Sequence, residues 1–392
     1  MASSVRAIVL AVADPLRSAP IPFNRPSVAS NELAFVHDAI GRGHISGNGY
    51  YTARCEAVLA QLVGGGTVAL TTSCTHALEM AALLLDLGPG DEVIVPSFTF
   101  VSTANAFALR GARPVFVDVR ADTLNLDERL VEGAVTARTR AIVVMHYGGV
   151  ACEMEAIAAI ASRAGAVLLE DNAHGLFGAY RGRPLGSFGA AAALSFHESK
   201  NITCGEGGAL VLNDASFVER ALVLRDKGTN RTQFLRGEVD RYQWLDLGSS
   251  YVMSEMLAGF LYGQLDARAA IQQRRAEMWR RYQTELAGWA ARRGVALPAV
   301  PPECEPSYHL FHLVLPSPDE RPRFLAHLEA AGVQAAFHYQ PLHVSPMGQR
   351  LGGRAGQCPV TESASARLVR LPLFHKLTPE EQDRIVEAVC RF

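Results

Sequence analysis

The chain has 392 residues, 49% of them hydrophobic and 19% charged, with a formal net charge of -2. At about 150 residues per domain, this length suits two to three domains with sizeable cores, and the composition excludes wholesale disorder. No block of like charge stands out, so nucleic acid is not an expected partner.

Near the amino end, the apolar run Ala7 to Ala13 follows Arg6 and stops at Asp14-Pro15. Seven residues do not span a bilayer. Residues 1–20 are read as a leader, no membrane partner is expected, and the cytoplasm is the default location. Seven cysteines lie at positions 55, 74, 152, 204, 304, 358 and 390 and form no C-x-x-C pair. An odd, scattered set suits neither a disulfide framework nor a zinc site, so no metal is expected and a reducing compartment is.

Between residues 65 and 215, Ala/Leu-rich stretches alternate with short β-branched runs. The pattern predicts a helix over Cys74 to Leu87, capped by Ser73 or Thr75 and ended by Gly88-Pro89-Gly90. Strands follow at Glu92 to Val95, Pro114 to Val117, Ala141 to Met145 and Ala166 to Leu169. The intervening helices are Val101 to Arg110 and Glu153 to Ala164. A βαβ series of this kind makes an α/β fold, a mostly parallel central sheet flanked by helices. Its ligands lie beyond the carboxyl ends of the strands. A long periodic helix is expected over residues 255–287. It is followed by strand His309 to Leu315, helix Arg321 to Ala331, strand Gln334 to Tyr339 and a last helix near 379–390. The latter set reads as a smaller α+β C-terminal domain, so residues 21–250 form the large domain and 251–392 the linking helix and small domain.

Four segments carry chemistry-bearing residues. Thr71-Thr72-Ser73-Cys74-Thr75-His76 opens the first of these helices. The free N–H groups there make an anion cradle, although a plain Ser/Thr cap has the same appearance. Pro96-Ser97-Phe98-Thr99-Phe100 sets aromatics at a strand-to-helix turn, able either to stack on a flat ring or to fill the core. Asp171 follows a strand and could hold a protonated ring nitrogen or cap a turn. Lys200, in Ser195-Phe196-His197-Glu198-Ser199-Lys200-Asn201, is either a solvated lysine or an amine activated by its surroundings.

The order of these segments is informative. Anion cradle, aromatic, strand-end Asp and then Lys is the order found in fold-type I enzymes that use pyridoxal 5'-phosphate (PLP). The chain resembles the DegT/DnrJ/EryC1/StrS sugar aminotransferases from about Ile21 to about residue 390, most specifically over Ser73–Asp86, Pro96–Arg110, His146–Glu153, Ser195–Asn201, Gly228–Arg231 and His338–His343. Within that family it is similar to the enzymes that aminate TDP-4-keto-6-deoxyglucose at C4.

The resemblance implies a homodimer with shared active sites, acting on L-glutamate and a nucleotide sugar. It implies Lys200 as the Schiff-base lysine and proton shuttle, and Asp171 as the partner of the cofactor's ring nitrogen. By the same carry-over, His174 touches the phenolic side of the ring, Phe100 stacks on its face, and Thr75, His76 and Ser195 bind the phosphate. The family's cross-subunit Asn-Tyr-Arg reads Ser250-Tyr251-Val252 here, where Ser250 alone can still donate a hydrogen bond. Asn48, Arg231, His338 and His343 are the implied substrate contacts. Two exposed structural histidines in a loop would look the same as His338 and His343. A dehydratase of this family would carry histidine in place of Lys200. No G-x-G-x-x-G supports a nicotinamide enzyme.

Overall fold

The computed structural model describes residues 19–28 and 31–392, so most of the leader expected over residues 1–20 lies outside the described residues. The chain builds its large domain on strands β1 (Thr67–Thr71), β2 (Glu92–Pro96), β3 (Arg113–Val117), β4 (Thr139–Met145) and β5 (Val167–Asp171). After the short strands β6 (Ala179–Tyr180) and β7 (Arg183–Pro184), β8 (Ala191–Ser195) and β9 (Gly208–Leu212) complete the sheet. The seven long strands lie in the order β1-β9-β8-β5-β4-β2-β3. Pairs from β8 through to β3 are parallel, and only β9 runs against the rest, antiparallel to β8 and β1.

Parallel strands need crossover connections, and helices therefore cover both faces of the sheet. This explains why β9 and, after Glu92, β2 are apolar without alternation, since every residue of both strands is buried. The mostly parallel α/β architecture expected from the sequence is present. The helix Cys74–Leu84 starts where expected, with the Ser73 hydroxyl accepting the His76 amide at 3.1 Å.

Two local expectations are corrected. The long helix expected over 255–287 is two helices, Glu255–Asp266 and Arg268–Arg293, parted at Ala267. The first packs Ala258, Leu261 and Leu265 into a large-domain core, and the second sends Met278, Trp279 and Tyr282 into a separate one. One straight amphipathic face does not serve two cores, so the axis breaks between them. The strand expected over Gln334 to Tyr339 is also absent, apart from a single bridge from Ala336 to Arg370. This segment leaves the sheet edge because His338 and Tyr339 pack inward against Tyr147 and His174.

In the small domain β11 (Phe311–Val314) pairs with β12 (Leu368–Leu371), while the short strand β10 (Cys304–Glu305), which precedes them, pairs with β6 in a separate three-stranded sheet. The helices Arg268–Arg293, Glu320–Ala330 and Pro379–Cys390 supply the rest of its core, which also takes in Ile21 from the amino-terminal segment. None of the described helices is long and apolar enough to cross a membrane.

Candidate active site

The carboxyl ends of β4, β5 and β8 bring Met145, Asp171 and Ser195 to one edge of the sheet, and register fixes them there: Met145 pairs with Asp171, and Asp171 with Ala193. Beyond that edge lies a cavity of about 490 Å³, roofed by small-domain residues His309, His338, Tyr339 and Arg370. This is the strand-end position at which α/β sheets hold ligands, and the volume suits a bound cofactor.

Asp171 is buried and its side chain is oriented from two sides. Thr103 donates to Oδ2 at 2.6 Å, and the Ala173 amide donates to Oδ1 at 3.1 Å. Thr99 and Thr103 are joined by a 2.7 Å bond between hydroxyls, which extends the chain of donors. Burial raises the carboxyl's pKa, while Thr103, Ala173 and Lys200 pull it down. A cationic ring nitrogen opposite would complete that pairing.

Lys200 is half-buried on the cavity wall, in the turn that follows β8. Burial lowers its pKa to about 8, against the opposing pull of Cys74 and Asp171. An amine so placed gives up its proton more readily than a solvated lysine, as suits a nucleophile and proton carrier.

Ser73, Cys74 and Thr75 line the same cavity at the start of their helix, with Ser195 close by on the sheet. Gly208 makes this approach possible, since a Cβ there would stand 2.3 Å from the Cys74 amide nitrogen. Phe100 lines the opening with its side chain 56% exposed, while Phe98 is fully buried in the core. His174 is buried beside them. Its Nε2 lies 3.3 Å from the Tyr339 hydroxyl, and its Nδ1 has no hydrogen-bond partner among the described residues. A buried ring nitrogen without a partner, on a residue that lines a cavity, is an unmet hydrogen-bonding demand beside that cavity. Anion cradle, free aromatic face, carboxylate, unpartnered imidazole and activated amine together fit PLP.

The family model for the DegT/DnrJ/EryC1/StrS aminotransferases matches residues 26–390. The chain belongs to this family. Among solved structures it is similar to the aminotransferase TlmJ from Streptoalloteichus hindustanus, at 31% identity over 95% of this chain and 98% of that one, with a TM-score of 0.87. DesV from S. venezuelae matches at 32% identity, again over 95% and 98% of the two chains, with a TM-score of 0.87. A Streptococcus pneumoniae protein in its PLP form matches at 28% identity over 95% and 98%, with a TM-score of 0.88. The chain is therefore a PLP-dependent aminotransferase of fold type I, with PLP as its cofactor.

Across this family member, the residues singled out from the sequence fall into two groups. Thr75, Phe100, Asp171, His174, Ser195, Lys200 and His338 all line the cavity. Asn48, His76, Arg231, Ser250 and His343 are not on its wall. The His76 amide is engaged by Ser73, and its ring bonds Thr72 at 2.5 Å, turned away from the cavity. The buried ring of His343 lies between Ser97 at 2.6 Å and Glu362 at 2.8 Å. Asn48 accepts from Arg225 at 2.9 Å. Arg231 stands 3.9 Å from Asp226, and exposed Ser250 bridges to Asp226.

Sequence reading missed Thr103, His309, Tyr339 and Arg370. Thr99 lies in the bend before the helix Ser102–Ala108, so its bond to Thr103 is not a helical i, i+4 pair that the sequence spacing announced. The other three come from the small domain, and no local spacing announces them.

Proposed function

We propose that the enzyme moves the amino group of L-glutamate to C4 of a nucleotide-linked 4-keto-6-deoxy sugar, taking TDP-4-keto-6-deoxyglucose to TDP-4-amino-4,6-dideoxygalactose in the cytoplasm. The observation that carries this reading is Lys200, its pKa lowered to about 8, on the same cavity wall as the buried and doubly hydrogen-bonded Asp171. The sequence resemblance to C4 aminotransferases supplies the sugar. The neutral, hydrogen-bonding roof of His309, His338 and Tyr339 suits a hydroxyl-rich substrate.

When bound, PLP supplies the electron sink and carries the amino group between the two half-reactions. Asp171 holds the charge of the ring nitrogen. His174, on the lining of the cavity, would sit beside the phenolic side of the ring, and the Tyr339 hydroxyl, 3.3 Å from Nε2, orients its imidazole. Thr75, Ser195 and the helix start hold the phosphate, and Phe100 covers the ring face. Lys200 gives a proton to C4 of the sugar, or removes one from the donor's α-carbon, according to the half-reaction.

Asn48, Arg231 and Ser250 are assigned to a second copy's cavity, in a homodimer. The support is the exposed apolar surface of the arm that carries Arg231, where Phe234, Leu235, Trp244, Leu245 and Leu247 all face solvent in the single chain. His343 is assigned a structural role, bracing Ser97 and the turn before Pro346.

The test is spectroscopic. The purified holoenzyme is expected to lose its visible absorbance on addition of L-glutamate and to regain it with TDP-4-keto-6-deoxyglucose, and Lys200→Ala is expected to do neither. A spectrum indifferent to glutamate would sink the donor assignment. Recovery with a UDP-linked sugar alone would sink the TDP assignment.

A further inference from the structure

Just before β11, the stretch Ser307-Tyr308-His309-Leu310 is held carbonyl by carbonyl from the helix Arg268–Arg293. Gln272 Nε2 donates to the Ser307 carbonyl at 2.7 Å, and Arg275 donates from Nε to the Tyr308 carbonyl at 3.2 Å and from Nη2 to the His309 carbonyl. Trp279 Nε1 donates to the Leu310 carbonyl at 3.1 Å. Positions 272, 275 and 279 share one face of a helix, so a single helix takes four consecutive carbonyls. The clamp holds Tyr308 at a φ of 55°, in the left-handed region, and sets His309 on the cavity wall.

The His309 ring is held separately, by the residue that follows Lys200. Asn201 is buried, and both ends of its amide are engaged. Nδ2 donates to the Ser307 carbonyl at 2.8 Å and to Gln272 Oε1 at 3.3 Å, while Oδ1 lies 2.9 Å from His309 Nδ1. A carbonyl oxygen only accepts, so the Ser307 carbonyl fixes which end of the Asn201 amide is nitrogen. Oδ1 only accepts as well, so the hydrogen between it and His309 belongs to Nδ1. Burial pushes the His309 pKa well below the ordinary imidazole range, which keeps the ring at one N–H. Nε2 is then an acceptor, and it has no hydrogen-bond partner among the described residues.

The chemistry of the ligands narrows what can donate to it. On bound PLP the ring N–H belongs to Asp171, and the phosphate and phenolic oxygen accept. L-glutamate brings two carboxylates, which accept, and an amino group that is consumed in the reaction. A ketosugar brings hydroxyls, each with a hydrogen to give. We propose that Asn201 is a positioning residue, which holds His309 in its Nδ1–H form and so leaves Nε2 as a hydrogen-bond acceptor for a hydroxyl of the amino-group acceptor. The proposal rests on the sugar reading above and deepens it: the Nε2 lone pair holds a hydroxyl and repels a carboxylate. Asn201 acts through His309 and touches no substrate itself.

The experiment has one arm without any sugar. With the histidine nitrogens isotope-labelled, NMR of the PLP-loaded holoenzyme is expected to show His309 protonated at Nδ1 and unprotonated at Nε2, its signals identified by their loss in His309→Phe. Asn201→Asp, which keeps an oxygen opposite Nδ1, should retain that form, and Asn201→Leu should lose it. The second arm follows the two half-reactions separately by absorbance. Asn201→Leu leaves Gln272 to serve the Ser307 carbonyl. It is expected to lower kcat/KM for the TDP-4-keto-6-deoxyglucose half-reaction about tenfold, the usual size of one hydrogen bond, and to leave the L-glutamate half-reaction unchanged. His309→Phe should show the same split, and joining it to Asn201→Leu should add no further loss. Should Asn201→Leu fail to fold, His309→Phe carries the kinetic test alone. A protonated Nε2 in the wild type overturns the proposal. An equal loss in both half-reactions also overturns it, since Asn201 would then only support the backbone beside Lys200, and so does an Asn201→Leu enzyme that aminates the sugar normally. If the wild type shows the expected form of His309 but no ketosugar restores its absorbance, the substrate in the proposed function has failed and the positioning of His309 has not.

Discussion

At the strand-end floor, sheet register fixes Asp171 and Ser195, hydrogen bonds from Thr103 and the Ala173 amide orient Asp171, and Lys200 stands in the turn after β8. On the arm that carries Arg231, the side chains of Phe234, Leu235 and Trp244 stand in solvent, with Trp244 77% exposed. These floor residues all come from one chain, and hydrogen bonds and register hold them in place. The arm has an apolar surface and nothing of its own to cover it. A residue on the floor is therefore expected to act through chemistry, and a residue on the arm through association.

This contrast can be broken at several points. The largest effect is expected at the floor, where Lys200→Ala should abolish turnover and Asp171→Asn should lower kcat by about 10²–10³, the range found when one preorganised electrostatic partner is removed. Both proteins should keep the wild-type melting temperature within a few degrees. If Asp171→Asn turns over normally, the floor has been misread.

On the arm, Trp244→Glu should weaken self-association by about 2 kcal/mol, as for a buried aromatic anchor. Analytical ultracentrifugation should then show dissociation at concentrations where the wild type stays associated. A wild type that sediments as a monomer would remove the reason for treating the arm as an interface.

Gly208→Ala is a smaller and more local probe. Its new Cβ meets the backbone of Ser73 and Cys74 at 2.3 Å. We expect about 1–3 kcal/mol of destabilisation, together with weaker PLP binding in a titration of the apoprotein.

The last effect concerns β11, on which His312 packs against Tyr147. His312 is buried, its Nδ1 has no partner, and burial pushes its pKa down to about 3. The unfolded chain takes up that proton below about pH 6.5 and the folded chain does not, so the unfolded state binds more protons in between and stability falls as pH falls. The neutral histidine's contribution is fully present above about pH 6.5 and is lost towards about pH 3. His312→Phe should flatten the pH dependence by about 1 kcal/mol per pH unit between about pH 6 and about pH 4. Urea midpoints measured at several pH values would check it.

Much of the floor was legible because its chemistry is local. Ser73, Asp171 and Ser195 sit at ends of periodic runs, where helix caps and strand termini are written in the residue types themselves. The roof was not legible. His309, Tyr339 and Arg370 reach the cavity from segments far from Asp171 in the chain, and Tyr339 does so by leaving the strand its sequence pattern suggested. His343 illustrates the reverse case. It belongs to the same short motif as His338, yet it is buried against Ser97 and Glu362 while His338 faces the cavity.

By itself, then, the sequence determined the βαβ order and the family resemblance, and it singled out Lys200, Asp171 and Ser73 to Thr75, which the fold brings to one cavity, because hydrophobic period, capping and strand ends act over a few residues. The break at Ala267, the inward path of residues 334–339 and the arrival of Arg370 at the cavity were decided only in three dimensions. They depend on which core each face is buried against and on which side chains distant segments bring to the cavity.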